Sequence, residues 1–456
     1  MINKILVANR GEIAVRIIRA CKELNIETVA IYSEVDKNSL HTILADHAYC
    51  VGSKYSKDSY LHFSNILSIA IIQSVDAVHP GYGFLSENDE FAKMCEKNNI
   101  VFIGPKSNII KKMGVKDEAR KTMKENGIPV VPGSDSTVKS KEEAKKIAKK
   151  IGYPIVLKAT AGGGGKGIRI VHKENDLYGS LDAVQSEAEQ SFGNKEVYIE
   201  KYIENFRHIE IQVLADQYKN VIHLGERDCT LQRRMQKLVE ESPSTNLSQE
   251  EKDQMANSAV KATKAIGYEG AGTIEYIYDL KDNKYYFMEM NTRIQVEHTV
   301  SEMVTGVDLV KEQIRIANNE KLTKNQEDII VKGCAIECRI NAENPNDNFS
   351  PSPGKVKQFI QPNGFGVRVE TGIYSNYIIP PFYDSMIAKF IVHGDDREEA
   401  INKMKVALET TIIDGVKTTI PFLINLINNQ EFKKNHFDNH FVSYNIDRLI
   451  GSDLGV

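Results

Sequence analysis

A run of nine residues, E-M-N-T-R-I-Q-V-E from Glu289 to Glu297, carries the densest set of side chains that could do chemistry. Its odd positions are polar or charged, and most of its even positions are apolar. If the segment is extended, alternate side chains point the same way, so five hydrogen-bonding or ionic groups share one face. An exposed antiparallel strand has the same alternation, and the pattern alone does not separate a reactive face from a solvated one.

A metal site is predicted where this run faces the strand before it. The segment G-T-I-E-Y-I-Y-D-L is typical of a strand and would pair with Y-Y-F-M-E-M-N. A three-residue loop at 281–283 would set Glu275 directly across from Glu289, and opposed carboxylates repel unless a cation lies between them. With the amide oxygen of Asn291, this is the ligand chemistry that Mg²⁺ prefers. A two-residue loop would shift the register and put the carboxylates on opposite faces.

Further polar side chains of the same run predict an anion site. Arg293 and Gln295 share the face of Glu297, and the strand-like segment C-A-I-E-C-R-I places Arg339 on the face opposite to its two cysteines. Two guanidinium groups and a carboxylate that converge would suit a small oxyanion substrate and a general base. Ion pairs that only stabilise the fold are the alternative, and the sequence leaves both open.

A glycine-rich loop between two strands indicates phosphate binding. Glycines at 162–165 and 167 surround Lys166, and Lys158 ends the apolar strand before them. Without a Cβ, such a backbone can wrap its N–H groups around a phosphate. Gly167 stands where a Walker A loop requires Ser or Thr, and the following strand does not fit a Rossmann fingerprint. The loop resembles a mobile flap over phosphates, with a flexible hairpin that binds nothing as the alternative.

The elements that must position these groups divide the chain into three parts. Strand and helix patterns alternate through the first third, as in a doubly wound parallel sheet. The Pro- and Gly-rich stretch 126–136 is a boundary signal, and a capping box at 140–143 opens a helix that stops at Gly152. A small unit of strands and one helix follows. From His208 onward strands dominate, which predicts an α/β protein with an α+β C-terminal part.

Composition limits the classes of function. The chain has 456 residues, and 58 Lys and Arg against 62 Asp and Glu give a net charge of −4, which removes the electrostatic case for a nucleic-acid binder. No apolar run approaches the roughly 18 residues of a membrane span, and the N-terminus lacks the apolar core of a signal peptide. The six cysteines are scattered without a CxxC motif, so we expect buried thiols in a reducing cytoplasm.

Motifs along nearly the whole chain resemble those of the biotin carboxylases in the ATP-grasp superfamily: VANRGEIAVRIIRACKEL, HPGYGFLSEN, KATAGGGGKG, EKYIENFRHIEIQ, GERDCTLQRRMQK, MEMNTRIQVEH, SPSPGKV and PPFYDSM. The resemblance implies an N-terminal doubly wound domain at 1–113, a small mobile lid with its linker at 114–203, and the ATP-grasp large and C-terminal domain, with a mixed sheet, at 204–456. It also implies an ATP-dependent ligase that carboxylates biotin through carboxyphosphate, with ATP, Mg²⁺ (or Mn²⁺) and bicarbonate.

The resemblance assigns roles to individual residues. Those implied to bind ATP are Lys116, Lys158, Gly164, Gly165, Glu200, Lys201, Ile203, His208, Gln232 and Ile277, together with the carboxylates of the metal site. Those implied to bind the metal are Glu275, Glu289 and Asn291. Those implied to hold bicarbonate or biotin are Tyr82, Gly83, Lys237, Arg293, Gln295, Val296 (through its backbone) and Arg339. The implied catalytic group is Lys237, Arg293, Glu297 and Arg339, in which Glu297 would be the base and Arg339 would stabilise the biotin enolate.

The resemblance also predicts partners. Residues that match the family's homodimer contacts are Arg19, Glu23, Phe365 and Arg368. Because the sequence contains neither a biotinylation hairpin nor a carboxyltransferase, we expect a separate biotin carboxyl carrier protein and carboxyltransferase subunits. Acetyl-CoA carboxylase in fatty acid synthesis is the expected complex. Alternatives are a propionyl-CoA or pyruvate carboxylase, another ATP-grasp ligase, or a non-catalytic nucleotide-binding regulator, which would be expected to lose the carboxylates present here.

Four positions depart from the family pattern: Ala161, Met235, Ser242 and Thr299. They stand where relatives have Gly, His, Ala and Pro, respectively. None removes a catalytic group, but we expect lid closure and nucleotide affinity to differ.

Overall fold

The structure, a computed structural model, describes residues 1–134, 136–159 and 167–451, without the side chains of residues 191 and 192. Its first elements are β1 (Lys4–Val7), α1 (Gly11–Glu23), β2 (Glu27–Ser33), α2 (Leu40–Leu44), β3 (His47–Gly52), α3 (Phe63–Ile72), β4 (Ala77–His79), α4 (Asp89–Lys97), β5 (Val101–Phe102) and α5 (Ser107–Gly114). The five strands form a parallel sheet in the order β3-β2-β1-β4-β5. The predicted doubly wound architecture is confirmed.

Short apolar strands and an amphipathic helix explain this part of the fold. The strand residues Ile5, Leu6 and Val7 are fully buried, as expected for a parallel sheet covered on both faces. Helix α1 buries Ile13 and Ile17, one turn apart, against the same core. Each such side chain contributes about 1.5–3 kcal/mol of burial free energy. The sheet is therefore held by its own hydrophobic core.

The chain divides into two compact units. The larger unit comprises 1–114, 207–275 and 290–456, and the smaller unit comprises 115–206 and 276–289. The elements that follow α5 are α6 (Lys116–Glu125), α7 (Lys141–Ile151), β6 (Ile155–Ala159), β7 (Ile168–Val171), α8 (Leu177–Phe192) and β8 (Val197–Lys201). Their strands form an antiparallel sheet in the order β7-β6-β8.

Helix α7 begins and ends as its sequence predicts. The Ser140 side chain accepts a hydrogen bond from the backbone N–H of Glu143, and Gly152 ends the helix with a φ of +79°. The reciprocal half of the predicted capping box differs, because the Glu143 carboxylate accepts from the backbone N–H of Lys139 at 2.9 Å. Gly152 is used here because a left-handed φ favours a residue without a Cβ.

An eight-stranded sheet carries the rest of the chain. Its next elements are β9 (Phe206–Ala215), β10 (Val221–Arg233), β11 (Gln236–Ser242), α9 (Gln249–Ala265), β12 (Gly270–Asp279), β13 (Lys284–Asn291), α10 (His298–Thr305), α11 (Leu309–Ala317) and β14 (Cys334–Asn341). The predicted pairing of β12 with β13 is confirmed by their adjacent positions in the sheet. Their connection, 280–283, is one residue longer than the predicted loop.

The C-terminal elements are β15 (Glu343–Asn344), β16 (Ser350–Pro351), β17 (Gly354–Lys355), β18 (Gln358–Ile360), β19 (Val367–Thr371), β20 (Ile378–Ile379), β21 (Met386–Gly394), α12 (Arg397–Glu409), β22 (Ile412–Asp414), α13 (Ile420–Asn428), α14 (Gln430–Lys433), α15 (Phe441–Tyr444) and α16 (Ile446–Ile450). The large sheet has the order β13-β12-β9-β10-β11-β14-β21-β19. Among the described residues, no helix has both the length and the apolar character needed to cross a membrane.

Strand alternation gives this sheet one apolar and one charged face. On β14, Cys334, Ile336, Cys338 and Ile340 pack into a core shared with Phe390 of β21. All six cysteines are free thiols, and five of them, including Cys334 and Cys338, are buried as predicted, whereas Cys50 is exposed, which corrects the prediction for that residue. The intervening residues of β14 include Glu337 and Arg339, which lie on the other face. The charged face is therefore available for chemistry.

Candidate active site

The segment after β13 does not continue as a strand, which corrects the predicted alternation through Glu297. Strand β13 ends at Asn291, and α10 begins at His298 with Glu297 as its N-cap. The strand ends because Glu87 accepts hydrogen bonds from the Thr292 backbone N–H (3.2 Å) and from the Arg293 guanidinium (2.9 Å) in place of a neighbouring strand. The polar groups of the run therefore reach the site by a turn.

Glu275 of β12 binds two of these groups, of which Asn291 was predicted to share a metal site with it and Gln295 was predicted to belong to the anion site. Its Oε1 accepts hydrogen bonds from the side-chain amides of Asn291 (2.7 Å) and Gln295 (2.6 Å). The Oδ1 atom of Asn291 accepts from Arg293 at 2.8 Å. Carboxylate and amide oxygens of this kind are ligands that Mg²⁺ prefers, so the donor set of Glu275 and Asn291 fits that ion.

Lys237, on β11, joins three carboxylates. Its Nζ donates to Glu297 (2.7 Å) and Glu275 (3.3 Å) and also to Glu210. Burial alone would lower the pKa of Lys237, but the carboxylates of Glu210, Glu297 and Glu275 raise it well above its usual value. The ammonium of Lys237 therefore stays charged, although this side chain is only 14 % exposed.

Glu210 is a central member of the site that the sequence analysis missed. It is fully buried on β9 and accepts a hydrogen bond from Arg227 at 3.0 Å, and Arg227 in turn donates to Gln295 at 2.6 Å. Despite burial, Lys237, His208 and Arg227 hold the pKa of Glu210 far below its usual value. The sequence signal is the H-I-E-I-Q segment, in which His208, Glu210 and Gln212 share one face of a strand and the isoleucines between them lie on the other face.

His208 and Gln232, both predicted to contact the nucleotide, lie side by side. The Gln232 amide nitrogen is 3.2 Å from Nδ1 of His208, and Nε2 of His208 is 3.0 Å from Glu275 and 3.1 Å from Glu210. Burial opposes a charged imidazole, but the two carboxylates raise the pKa of His208 to about 9. The two carboxylates therefore favour the protonated form of His208.

Glu297 is held from two sides. Arg339 of β14 donates to its Oε2 at 3.0 Å while Lys237 donates to its Oε1, and within the described part of the chain no hydrogen bond ties the carboxylate to the helix it caps. Burial would raise the pKa of Glu297, but Lys237 and Arg339 outweigh burial and the net pKa lies below its usual value. Glu297 is therefore an ionised carboxylate that can accept a proton.

Arg339 has a second carboxylate partner that the sequence analysis missed. Its Nε donates to Glu240 at 2.5 Å, and Glu240 lies directly across from Glu337 on the neighbouring strand. Burial raises the pKa of Glu240 to about 8 and that of Glu337 to about 7, against the opposing effects of Arg339 and Lys389, respectively. The guanidinium is thereby fixed between Glu240 and Glu297.

A cavity of about 500 Å³ opens beside these groups in the larger unit. Five of the residues predicted to hold bicarbonate or biotin line it together: Tyr82, Gly83, Lys237, Val296 and Arg339. Arg293 and Gln295 lie behind the lining, where Gln295 bonds Glu275 and Arg293 bonds Glu87. The structure therefore brings together a buried carboxylate, two cations and a cavity of small-molecule size.

The predicted ATP-binding residues of the smaller unit are more loosely placed. Lys116 lies 3.6 Å from Glu289 with its side chain 77 % exposed, and Lys158 contacts the buried Glu200 at 2.6 Å. Lys201 donates to the backbone carbonyls of residues 152 and 153. Ile203 is buried and Ile277 half-buried. Gly164, Gly165 and the departure at Ala161 lie outside the described residues.

The structure describes the four predicted dimer residues and three of the four departures from the family pattern. Phe365 is 94 % exposed, Arg368 donates to Glu302 at 2.7 Å, and the remaining two, Arg19 and Glu23, lie near Glu370 and Lys311. The three described departures are placed as follows: Met235 is exposed, Ser242 donates to the Glu226 carbonyl, and Thr299 donates to the Glu337 carboxylate.

Three family models match the chain in order. They are the biotin carboxylase N-terminal domain (1–110), the ATP-binding domain of the carbamoyl-phosphate synthase L chain (115–325) and the biotin carboxylase C-terminal domain (337–444). The chain is 59 % identical to biotin carboxylase 1 of Bacillus subtilis, over 97 % of this chain and 98 % of the relative. It is 54 % identical to a pyruvate carboxylase subunit of Methanothermobacter thermautotrophicus, over 97 % of this chain and 90 % of that one.

A solved structure agrees with these relatives. The biotin carboxylase domain dimer of the 2-oxoglutarate carboxylase of Hydrogenobacter thermophilus, in complex with MgADP, ADP and bicarbonate, matches with a TM-score of 0.91 at 51 % identity. The match covers 99 % of this chain and all of that one. With the base, the cations and the cavity described above, these likenesses place the chain in the biotin carboxylase family, whose members are ATP-dependent carboxylating ligases of the ATP-grasp fold.

Proposed function

We propose that this protein uses ATP and bicarbonate to carboxylate biotin that is attached to a separate carrier protein. One observation carries the proposal: the carboxylate of Glu297 is held between Lys237 and Arg339, and these two cations line a cavity of about 500 Å³. A base placed between two cations is suited to take a proton from a small anion while the cations retain that anion.

The chemistry follows from the poor reactivity of both substrates. Glu297 accepts the proton of bicarbonate, and a carbonate oxygen attacks the γ-phosphorus of ATP, which releases ADP and forms carboxyphosphate. Carboxyphosphate breaks down to CO₂ and phosphate. The phosphate takes the proton from the ureido nitrogen of biotin, and that nitrogen attacks CO₂. Arg339 donates to the enolate oxygen of the ureido group, while Lys237, Arg293, Gln295 and the backbone of Val296 hold bicarbonate.

The nucleotide and metal assignments belong to the same proposal. In the larger unit, Glu275 and Asn291 would hold Mg²⁺ or Mn²⁺ and His208 and Gln232 would contact ATP. In the smaller unit, the assigned residues are Lys116, Lys158, Glu200, Lys201, Ile203, Ile277 and Glu289, with Gly164 and Gly165 in the lid. The bound ion would neutralise charge on the phosphates. Tyr82 and Gly83 would line the biotin position. We keep the domain division at 113/114 and 203/204 as part of this proposal.

We further propose that the protein acts in the cytoplasm as the biotin carboxylase of an acetyl-CoA carboxylase, and that it forms a homodimer through Arg19, Glu23, Phe365 and Arg368. Free thiols on all six cysteines support a reducing compartment. The relatives named above include a component of a pyruvate carboxylase and a domain of a 2-oxoglutarate carboxylase. A 2-oxo acid carboxylase is therefore the second candidate complex.

The direct test is ADP release by the purified protein with Mg²⁺-ATP, with bicarbonate and free biotin added separately and together. We expect ADP release that requires bicarbonate and rises with biotin. Bicarbonate-dependent release that biotin does not change at any concentration would mean that the acceptor is another molecule. Addition of the carrier with either an acetyl-CoA or a 2-oxo acid carboxyltransferase then identifies the complex by its product, malonyl-CoA or a 2-oxo acid that has gained one carboxyl group.

A further inference from the structure

Lys389 of β21 is a completely buried lysine to which the catalytic scheme gives no role. Its Nζ donates a hydrogen bond of 2.5 Å to the backbone carbonyl of Val296 and lies 3.6 Å from the carboxylate of Glu12. It also lies 6.0 Å from the ring centroid of Tyr82. A lysine without solvent exposure is costly to bury unless its charge is compensated, so these contacts require an explanation.

Strand register explains why Lys389 needs its own anion. Lys389 lies directly across from Arg339 on antiparallel strands, and like charges in this position destabilise a sheet. Two carboxylates accept hydrogen bonds from Arg339, namely those of Glu240 and Glu297. Both lie on the Arg339 side of the Arg339–Lys389 pair. Glu12, at 3.6 Å, is therefore together with Glu337 one of the two carboxylates that compensate the charge of Lys389.

Glu12 reaches this position from another element. It lies in the first turn of α1, is only 4 % exposed and lines the same cavity as Val296 and Arg339. Among the described residues, neither of its carboxylate oxygens has a hydrogen-bond partner. Its nearest cation is thus the ammonium that holds the Val296 carbonyl.

We propose that Lys389 and Glu12 are a positioning pair for the bicarbonate-binding segment 295–297. The ammonium fixes the direction of the Val296 carbonyl and thereby the torsion between Val296 and Glu297. That torsion sets the plane of the peptide group between Val296 and Glu297, and with it where the side chain of Glu297 leaves the backbone. Lys237 and Arg339 hold the carboxylate of Glu297, and Lys389 holds the peptide group that joins Val296 to Glu297. This inference rests on the proposed function.

Lys389→Met tests the pair, because it removes the ammonium and keeps an unbranched side chain. We expect the KM for bicarbonate to rise at least about tenfold while the KM for ATP changes less than about twofold, since a small displacement at a reacting group has a large effect. Lys403→Met is the matched control. Lys403 also donates to a backbone carbonyl, that of His393 (2.8 Å), and contacts a glutamate, Glu399 (2.9 Å), away from the cavity.

The double variant Glu12→Gln/Lys389→Met separates positioning from stability. It removes the buried carboxylate that the single variant leaves without a cation, so we expect its melting temperature to recover toward wild type while its KM for bicarbonate stays high. Recovery of both together, or an equal rise in the KM values for bicarbonate and ATP, would show that the pair is only structural. Absence of bicarbonate-dependent ADP release in the wild-type protein would instead contradict the proposed function itself.

Discussion

The charged side chains of the two units differ in whether buried protein partners or solvent compensate their charge. In the larger unit, Glu297 is 2 % exposed and Lys237 14 % exposed at the side chain, and each is held by partners from other strands. In the smaller unit, the Lys116 side chain is 77 % exposed and contacts Glu289, and the Lys158 side chain is 33 % exposed and contacts Glu200. The same residue types thus occur once in a buried network and once near solvent.

This difference indicates which side chains of each unit are already positioned before a ligand binds. A buried network keeps its geometry before substrate arrives, so the groups proposed to act on bicarbonate need little reorganisation. A lysine near solvent is hydrated, and if it binds a phosphate as proposed it gains most of its ordering from that ligand. Substitutions in the larger unit should therefore alter both stability and turnover, whereas those in the smaller unit should alter nucleotide affinity.

The largest effect is expected for Glu297→Gln. Loss of the proton acceptor should lower bicarbonate-dependent ADP release about a thousandfold and leave ATP binding unchanged. Single-turnover ADP formation and nucleotide titration measure the two quantities. The control is Glu269→Gln, a carboxylate paired with Lys106 at 2.9 Å outside the site, which should retain activity. Equal loss of nucleotide binding in Glu297→Gln would contradict the assigned role.

Lys237→Met breaks the network at its centre. Three buried carboxylates would lose their shared cation, and we expect the free energy of unfolding to fall by about 3–5 kcal/mol, measured with urea. Lys252→Met is the matched control, because Lys252 pairs with a single buried carboxylate, Glu226, at 2.9 Å. Equal losses in the two variants would show that the network adds nothing beyond one ion pair. Glu210→Gln in the Lys237→Met background should restore part of the stability.

Lys158→Met sharpens the comparison from the smaller unit. Loss of a charged hydrogen bond to phosphate should raise the KM for ATP about 10- to 100-fold. The free energy of unfolding should change by less than about 1 kcal/mol, because the ion pair is partly solvated. Lys149→Met, which removes a surface contact with Glu174 in the same unit, is the control for both measurements. A large loss of stability would place Lys158 with the buried network.

The smallest effect is expected from the buried His41 of the larger unit. Burial lowers the pKa of His41 from 6.5 to about 4, and its Nε2–H donates to the Ile31 carbonyl. Between these values the unfolded chain takes up a proton that the folded chain refuses, so this contribution to stability is complete above pH 6.5 and falls as the pH falls. The slope is about 1.4 kcal/mol per pH unit.

Urea unfolding of His41→Gln from pH 7.5 to 5 should show a flatter pH dependence than the wild type. His172→Gln is the matched control, since His172 is an exposed histidine of the smaller unit. Parallel pH curves for wild type and His41→Gln would contradict the prediction.

Local patterns predicted much of the fold. The buried strands around β1, the capped helix α7 and the pairing of β12 with β13 follow from hydrophobic period and turn residues, which act over a few neighbours. The course of the chain after Asn291 did not follow, because Glu87, distant in sequence, takes the hydrogen bonds that a neighbouring strand would have supplied. Period-two alternation describes a strand only while the sheet continues.

The residue types of the site were predictable from the sequence, but the hydrogen bonds and ion pairs between them were not. The placement of Arg339 away from Cys334 and Cys338 was predicted from parity and agrees with its contacts to Glu240 and Glu297. The roles of Glu210 and Lys389 were not predicted, because a buried charge is recognisable only when its counter-charge is known. Those partners come from other strands and from helix α1.

At Glu297, the start of α10, helix capping and the buried ion pairs of the site compete for one side chain. A residue at an N-cap normally uses its side chain to bond the first N–H groups of the helix, which is worth about 1 kcal/mol. Glu297 makes no such bond to the described helix, because its carboxylate is committed to Lys237 and Arg339. Ser or Thr at this position would gain that cap, but Lys237 and Arg339 would each lose a buried carboxylate partner, which costs more stability than the cap supplies. Substitution of Glu297 should therefore lower the melting temperature together with the activity.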